Sequence, residues 1–126
     1  LNFLKENLPN LYGNNIEVSL FLDPNIKNVN ACKELGVKAI EFHTGEIANA
    51  HGKKEKALIR KLEKVIKYTA TQGISTRAGH GLNFDKTKKI INIQFLEELN
   101  IGHFIIGESI FYGLAEVVKK MKKIIS

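Results

Sequence analysis

Cysteine is nearly absent from the chain: Cys32 stands alone, so no disulfide can form within it. Cys32 falls in a segment patterned as a helix, where a lone thiol is expected to be buried and inert. A reducing cytoplasm is the natural setting for such a protein. No apolar run approaches the roughly 18 residues that a membrane-spanning helix requires. The opening Leu1-Asn2-Phe3-Leu4-Lys5 lacks a signal-peptide pattern. The absence of an initiating methionine leads us to expect an excerpt of a longer chain. The four histidines and the single cysteine show none of the spacings of zinc ligands, so no metal is expected. No serine sits in a nucleophile elbow, and the glycines form neither a dinucleotide fingerprint nor a P-loop. Linkers, low-complexity stretches and close repeats are missing too.

The 126 residues suffice for one small domain with a real core, and 44% hydrophobic with 25% charged residues is ordinary for a globular protein. The net charge of +6 raises the question of nucleic acid. Most of the lysines lie on exposed faces of candidate helices: Lys53, Lys54, Lys56, Lys61, Lys64 and Lys67 in one, Lys119, Lys120, Lys122 and Lys123 in another. No aromatic platform is interleaved with them, so a solvated surface is expected and a nucleic-acid partner is not. A small anionic substrate needs only a few well-placed groups and stays open.

The chain has a rhythm of short strand, loop and helix. Ile16 to Leu22 reads as a strand from its β-branched and aromatic content. Asp23-Pro24 then opens a helix, with Asp23 as N-cap and Pro24 in its first position. Ile26, Val29, Cys32 and Leu35 form its apolar stripe, and Gly36 ends it. Val37 to Thr44 is the second strand. Lys54 to Gln72 is a long helix with Leu58, Leu62, Val65, Ile66 and Thr69 on one side, stopped by Gly73. A third strand covers Ile74 to Ala78, and Asn83 caps a helix of about Phe84 to Ile91. A short fourth strand lies near Leu99 to Gly102, before a helical stretch from Phe104 to Ile125 interrupted near Gly113. The segment before Ile16 reads as the tail of a helix limited by Pro9 and the Gly13-Asn14-Asn15 turn. Alternating strands and helices imply an α/β fold with parallel strands and right-handed crossovers. Periodicity leaves two architectures open, a small doubly wound sheet and half of a (β/α)₈ barrel.

The strand contents favour the barrel. Alternate residues of a strand face opposite ways. Ile40 and Phe42 then share an apolar face, while Ala39, Glu41 and His43 share the other. Likewise Val18, Leu20 and Leu22 oppose Glu17, Ser19, Phe21 and Asp23. Apolar faces suit packing against outer helices, and mixed faces suit a barrel interior. Glu41 becomes an inward carboxylate, costly unless paired or used. It either forms a self-satisfying pair with Arg77 on the neighbouring strand or orients a substrate. The third and fourth strands end in similar strings, Ala78-Gly79-His80-Gly81 and Asn100-Ile101-Gly102-His103, each followed by a helix. Glycine permits close approach to the backbone, and a helix N-terminus offers free N–H groups to an anion. Phosphate sites in such barrels commonly follow strands 7 and 8, so if these are those strands, Gly81, Gly102 and the His103 amide are expected to cradle a phosphate. His80, between two glycines, is either a plain turn residue or, from its place at a strand's C-terminal end, a ligand-facing histidine. His43 is expected to support the site or to cap the Thr44-Gly45 turn, and His51 to be ordinary surface. The loop from Glu46 to Lys53 is a candidate lid edge.

Four strings together resemble the pyridoxine 5'-phosphate synthase family: Val18-Ser19-Leu20-Phe21-Leu22-Asp23, Ile40-Glu41-Phe42-His43-Thr44-Gly45, Ala78-Gly79-His80-Gly81-Leu82 and Leu99-Asn100-Ile101-Gly102-His103-Phe104-Ile105-Ile106. They follow the family's order and spacing across nearly the whole chain. The resemblance implies a (β/α)₈ TIM barrel of which residues 1–126 supply the C-terminal half, the last four βα units. It implies condensation of 1-deoxy-D-xylulose 5-phosphate with 3-amino-2-oxopropyl phosphate to pyridoxine 5'-phosphate, phosphate and water. It further implies no metal or organic cofactor and a homo-octamer. By the same resemblance His80 is the proton donor, Glu41 stabilises a transition state, and Gly81, Gly102 and His103 contact the aminoketone phosphate. The remaining catalytic residues belong to the family's N-terminal half, without which activity is not expected. Many relatives have arginine where this chain has Glu108, a residue therefore expected to point away from phosphate or into solvent. Other classes remain: another phosphate-binding barrel enzyme, or a barrel that binds a phosphate ligand without catalysis. An aldolase would call for a Schiff-base lysine at a strand's C-terminal end, and Lys38 lies at the wrong end of its strand.

Overall fold

The computed structural model describes residues 2–126. The element order is α1 (Asn2–Gly13), β1 (Ser19–Leu22), α2 (Ile26–Glu34), β2 (Ala39–His43), α3 (Gly45–Asn49), α4 (Gly52–Thr71), β3 (Ser75–Gly79), α5 (Phe84–Ile90), β4 (Glu98–Asn100), α6 (His103–Tyr112) and α7 (Leu114–Ile125). The strands form one sheet in the order β1-β2-β3-β4, and every neighbouring pair is parallel. A doubly wound sheet reverses its strand order partway, whereas successive βα units of a barrel do not. The sequential order is thus consistent with part of a (β/α)₈ barrel. β1 and β4 are the edges of the sheet.

The strand faces divide as their alternation requires. Ile40 and Phe42 of β2 are fully buried, as are Thr76 and Ala78 of β3. Ile40 and Phe42 join Val29 and Cys32 of α2 and Leu62, Val65 and Ile66 of α4 in one core cluster, with Leu82 and Ile90 from the α5 region. Burial pushes the Cys32 thiol above its ordinary pKa, which suits an inert packing role. On the other sheet face, Glu41 and Arg77 occupy facing register positions and remain half-buried.

Several local expectations are corrected. Strand β1 begins at Ser19 rather than Ile16, and β2 at Ala39 rather than Val37. The cap of α2 is Asn25, whose side chain accepts from the Asn28 N–H at 2.8 Å, so Asp23 and Pro24 precede the helix. Asp23 is drawn instead toward His43. Pro9 lies inside α1 instead of ending it. Its missing N–H costs one intrahelical bond, but its own position on an exposed face demands no sharp break. The segment from Glu46 to Lys53 is not an open loop: α3 occupies its first half, and α4 begins at Gly52. Asn83 caps α5 as expected, accepting from the Lys86 N–H at 2.8 Å, and the final helices break at Gly113.

Candidate functional site

Parallel pairing puts the C-terminal ends of all four strands on one side, where the following loops gather. Glu41, His80, Gly81, Gly102 and His103 all line a single cleft of about 780 Å³ there. Residues 62 positions apart in sequence are brought together by the sheet alone. Phe21 and Asn100 are among the other residues of its walls.

Each of these positions has a local cause. Glu41 sits on the inward face of β2, and its Oε2 accepts from the Asn100 Nδ2 at 2.8 Å. The expected Arg77–Glu41 pair is not formed. Arg77 bonds Glu17 and approaches Glu98 at 3.5 Å, so it is claimed by carboxylates near β1 and on β4. That leaves Glu41 held by a neutral amide, with its charge uncompensated by Arg77. Gly79 is what permits this placement: a side chain there would overlap the Glu41 carboxylate. Asn100 was not singled out in the sequence, although its register position opposite Gly79 puts it at the same strand end.

His80 and Gly81 form the turn after β3 with φ of 77° and 75°. Left-handed backbone is uncommon for a non-glycine residue and costs free energy unless its surroundings hold it. Thr44 holds it here. The Thr44 N–H donates to the Gly79 carbonyl at 2.8 Å, and its Oγ1 lies 2.6 Å from the same oxygen and 2.7 Å from the His80 carbonyl. Thr44 is fully buried. Gly81 combines a positive φ with crowding, since an added Cβ would come within 2.7 Å of the Ala48 Cβ. His80 itself is exposed to the cleft.

Gly102 is the N-cap of α6 and His103 its first residue, with no side chain capping the first turn. The first-turn N–H groups of a helix lack intrahelical acceptors and carry the positive end of its dipole. Gly102, His103 and Phe104 of this turn line the cleft together with His80. Glu108, further along α6, is half-buried and does not line the cleft. His43 is half-buried between Asp23 and His80, which fits a supporting position, and exposed His51 precedes α4. Lys86 was also missed. It is 3% exposed and pairs with Glu55 at 2.5 Å while donating to the Ala50 carbonyl at 2.6 Å. In the sequence it is one lysine among many. This pair ties the start of α4 to α5, behind the loop that carries His80 and Gly81.

Comparison with known proteins gives this geometry a setting. The family model described as "Pyridoxal phosphate biosynthesis protein PdxJ" matches residues 1–126. The chain is 44% identical over 125 residues to a pyridoxine 5'-phosphate synthase of Sulfurihydrogenibium sp. (strain YO3AOP1), covering 99% of this chain and 51% of that protein. It is 41% identical over 111 residues to a protein of the same name in Blochmanniella floridana, covering 87% of this chain and 45% of the relative. A third such synthase, from Coxiella burnetii (strain Dugway 5J108-111), is 40% identical over 126 residues, 99% of this chain and 52% of its own. The chain therefore spans about half the length of the curated relatives it matches. With the family model matched from end to end, this chain belongs to the PdxJ family of pyridoxal phosphate biosynthesis proteins.

Proposed function

We propose that this chain is the C-terminal half of a pyridoxine 5'-phosphate synthase barrel. In this reading the complete protein condenses 1-deoxy-D-xylulose 5-phosphate with 3-amino-2-oxopropyl phosphate to pyridoxine 5'-phosphate, inorganic phosphate and water. It works in the cytoplasm as a homo-octamer, with neither metal nor organic cofactor. The observation that carries the reading is the convergence of Glu41, His80, Gly81, Gly102 and His103 on one cleft at the C-terminal ends of the strands, where barrel enzymes place their chemistry.

The residues divide the work by their chemistry. The α6 N-terminus, with Gly102 and His103, and the Gly81 backbone take the phosphate of the aminoketone. Binding that remote group orients the reacting carbon and nitrogen atoms. Schiff-base formation, dehydration and ring closure each move protons. His80, facing the cleft, donates a proton to the departing oxygen. Glu41, held by Asn100, keeps a fixed negative charge beside positive charge that develops on the condensing imine. The other half of the barrel supplies the grip on the pentulose phosphate and the remaining acid–base groups.

The direct test is formation of pyridoxine 5'-phosphate by the complete protein from the two substrates. His80→Ala is expected to lower kcat by about 10²–10⁴-fold while the aminoketone phosphate still binds. Absence of product from folded, unmutated protein would sink the synthase reading and leave a barrel that binds phosphate for another purpose.

A further inference from the structure

We propose that His43 is a positioning residue for His80, an inference that rests on the catalytic reading of His80 above. The backbone of His80 is fixed by Thr44, but its ring is exposed, and no hydrogen bond to its side chain exists among the described residues. An exposed side chain changes rotamer on the picosecond-to-nanosecond scale unless something walls it in. Here the wall is aromatic. The His43 and His80 rings lie 4.7 Å apart between centroids, inclined at 45°. The Phe21 ring stands 6.3 Å from that of His80.

The His43 ring is itself held on two sides. Phe21 meets it edge to face at 5.1 Å and 83°. Its Nδ1 lies 3.3 Å from the Asp23 Oδ1. A carboxylate only accepts, so Asp23 favours the tautomer with hydrogen on Nδ1. That leaves the Cε1–Nε2 edge turned toward His80. Gly45 confirms the tightness of the arrangement. A Cβ at this position would lie 2.8 Å from both Cε1 and Nε2 of His43 and 3.2 Å from Cδ2 of His80. The two rings meet directly above a residue that has no side chain.

His43 has no place in the cleft lining, so it acts on the reaction only through the lining rings it touches, His80 and Phe21. A proton donor displaced by a fraction of an ångström loses rate, whereas the phosphate grip at the α6 N-terminus is untouched. In the full-length protein, His43→Ala is therefore expected to lower kcat at least tenfold with KM for both phosphate substrates within about twofold. His43→Phe keeps a ring against His80 and should recover most of that loss. Gly45→Ala, which drives the rings apart from the other side, should reproduce the kcat defect. Unchanged kcat in a folded His43→Ala protein overturns the proposal, as does a defect confined to KM or one not relieved by phenylalanine. Where His43→Ala does not fold, the Phe and Gly45→Ala pair decides alone.

The ring placement also has a readout independent of turnover. The Cδ2–H and Cε1–H resonances of His80 should lose their ring-current shift in His43→Ala and retain much of it in His43→Phe. Unmoved His80 signals overturn the proposal. If the unmutated protein makes no pyridoxine 5'-phosphate, the synthase reading fails, and the resonances still decide whether His43 places the His80 ring.

Discussion

Thr44 illustrates how much of the site depends on one buried hydroxyl. Its backbone N–H bonds the Gly79 carbonyl and its hydroxyl reaches both the Gly79 and the His80 carbonyls, the latter with no other donor from Thr44. Thr44→Val keeps the shape and removes the hydroxyl. It is expected to cost about 1–3 kcal/mol, because buried polar groups are left unmatched. Urea unfolding at constant m-value checks this, and a change under about 0.5 kcal/mol would show that the turn holds without Thr44. Asn100 plays a comparable part for Glu41. Asn100→Ala should lower kcat while leaving the fold intact, since the amide lies exposed at the end of β4. The Thr44 contact was invisible in the sequence: a threonine at the end of a strand carries no sign of which carbonyl, 35 residues away, it will meet.

Individual elements are joined by capping and charge. Asn25, not Asp23, satisfies the first turn of α2. Asn25→Ala should therefore cost about 1 kcal/mol of stability and Asp23→Ala less, measured by thermal or urea unfolding. Equal losses would reinstate the aspartate as a cap. The sequence signal misled here because Asp-Pro and Pro-Asn both resemble helix starts, and the sheet-end position of His43 draws Asp23 away.

The link between α4 and α5 has a defined pH signature. Hydrogen bonds from Lys86, then Lys89, hold the Glu55 carboxyl below its ordinary pKa. Its contribution to stability is thus complete above the usual glutamate range and is lost as pH falls through the lowered folded value. Lys89 is raised, chiefly by its bond with Asp85 and then by Glu55, so its contribution is complete below the usual lysine range and fades as pH rises through the raised folded value. Stability attributable to this cluster should stay level near neutrality and decline as pH falls below the usual glutamate range. Glu55→Gln should flatten that acid decline in urea titrations. An equally steep decline in the variant would assign the acid sensitivity elsewhere.

The molecule as a whole presents apolar surface that its own elements do not cover. Helix α6 has no buried residue. Phe111 is 79% exposed, and Ile110, Tyr112, Ile106 and Leu114 lie open beside it. β1 and β4 also keep one unpaired edge each, a liability that closed barrels remove. Since the relatives are about twice as long, we expect the remaining half of a complete protein to seal the strand edges. The 126-residue chain alone should then bind a hydrophobic dye such as ANS more strongly, per chain, than the full-length protein does. Equal dye binding would mean that the longer chain leaves these surfaces open.

Local chemistry was enough to read the alternation of strands and helices, the buried Val29 and Cys32 of α2 (though not Ile26, which is exposed), the stripe of α4, the Asn83 cap and the break at Gly113. Each depends on neighbours within a turn or two of the chain, and so is written in short-range spacing. The strings around Glu41, His80 and Gly102 also pointed to Glu41, His80, Gly81, Gly102 and His103, which line one cleft, but not to Phe21 or Asn100 beside them. What only the tertiary structure decided was pairing. Arg77 took Glu17 and Glu98 instead of Glu41, Asn100 took Glu41, Lys86 reached Glu55, and Thr44 reached the His80 turn. Parallel strands place residues from distant segments side by side, and which of several competing partners a polar side chain meets depends on register and reach across strands. No local pattern in a sequence encodes that choice.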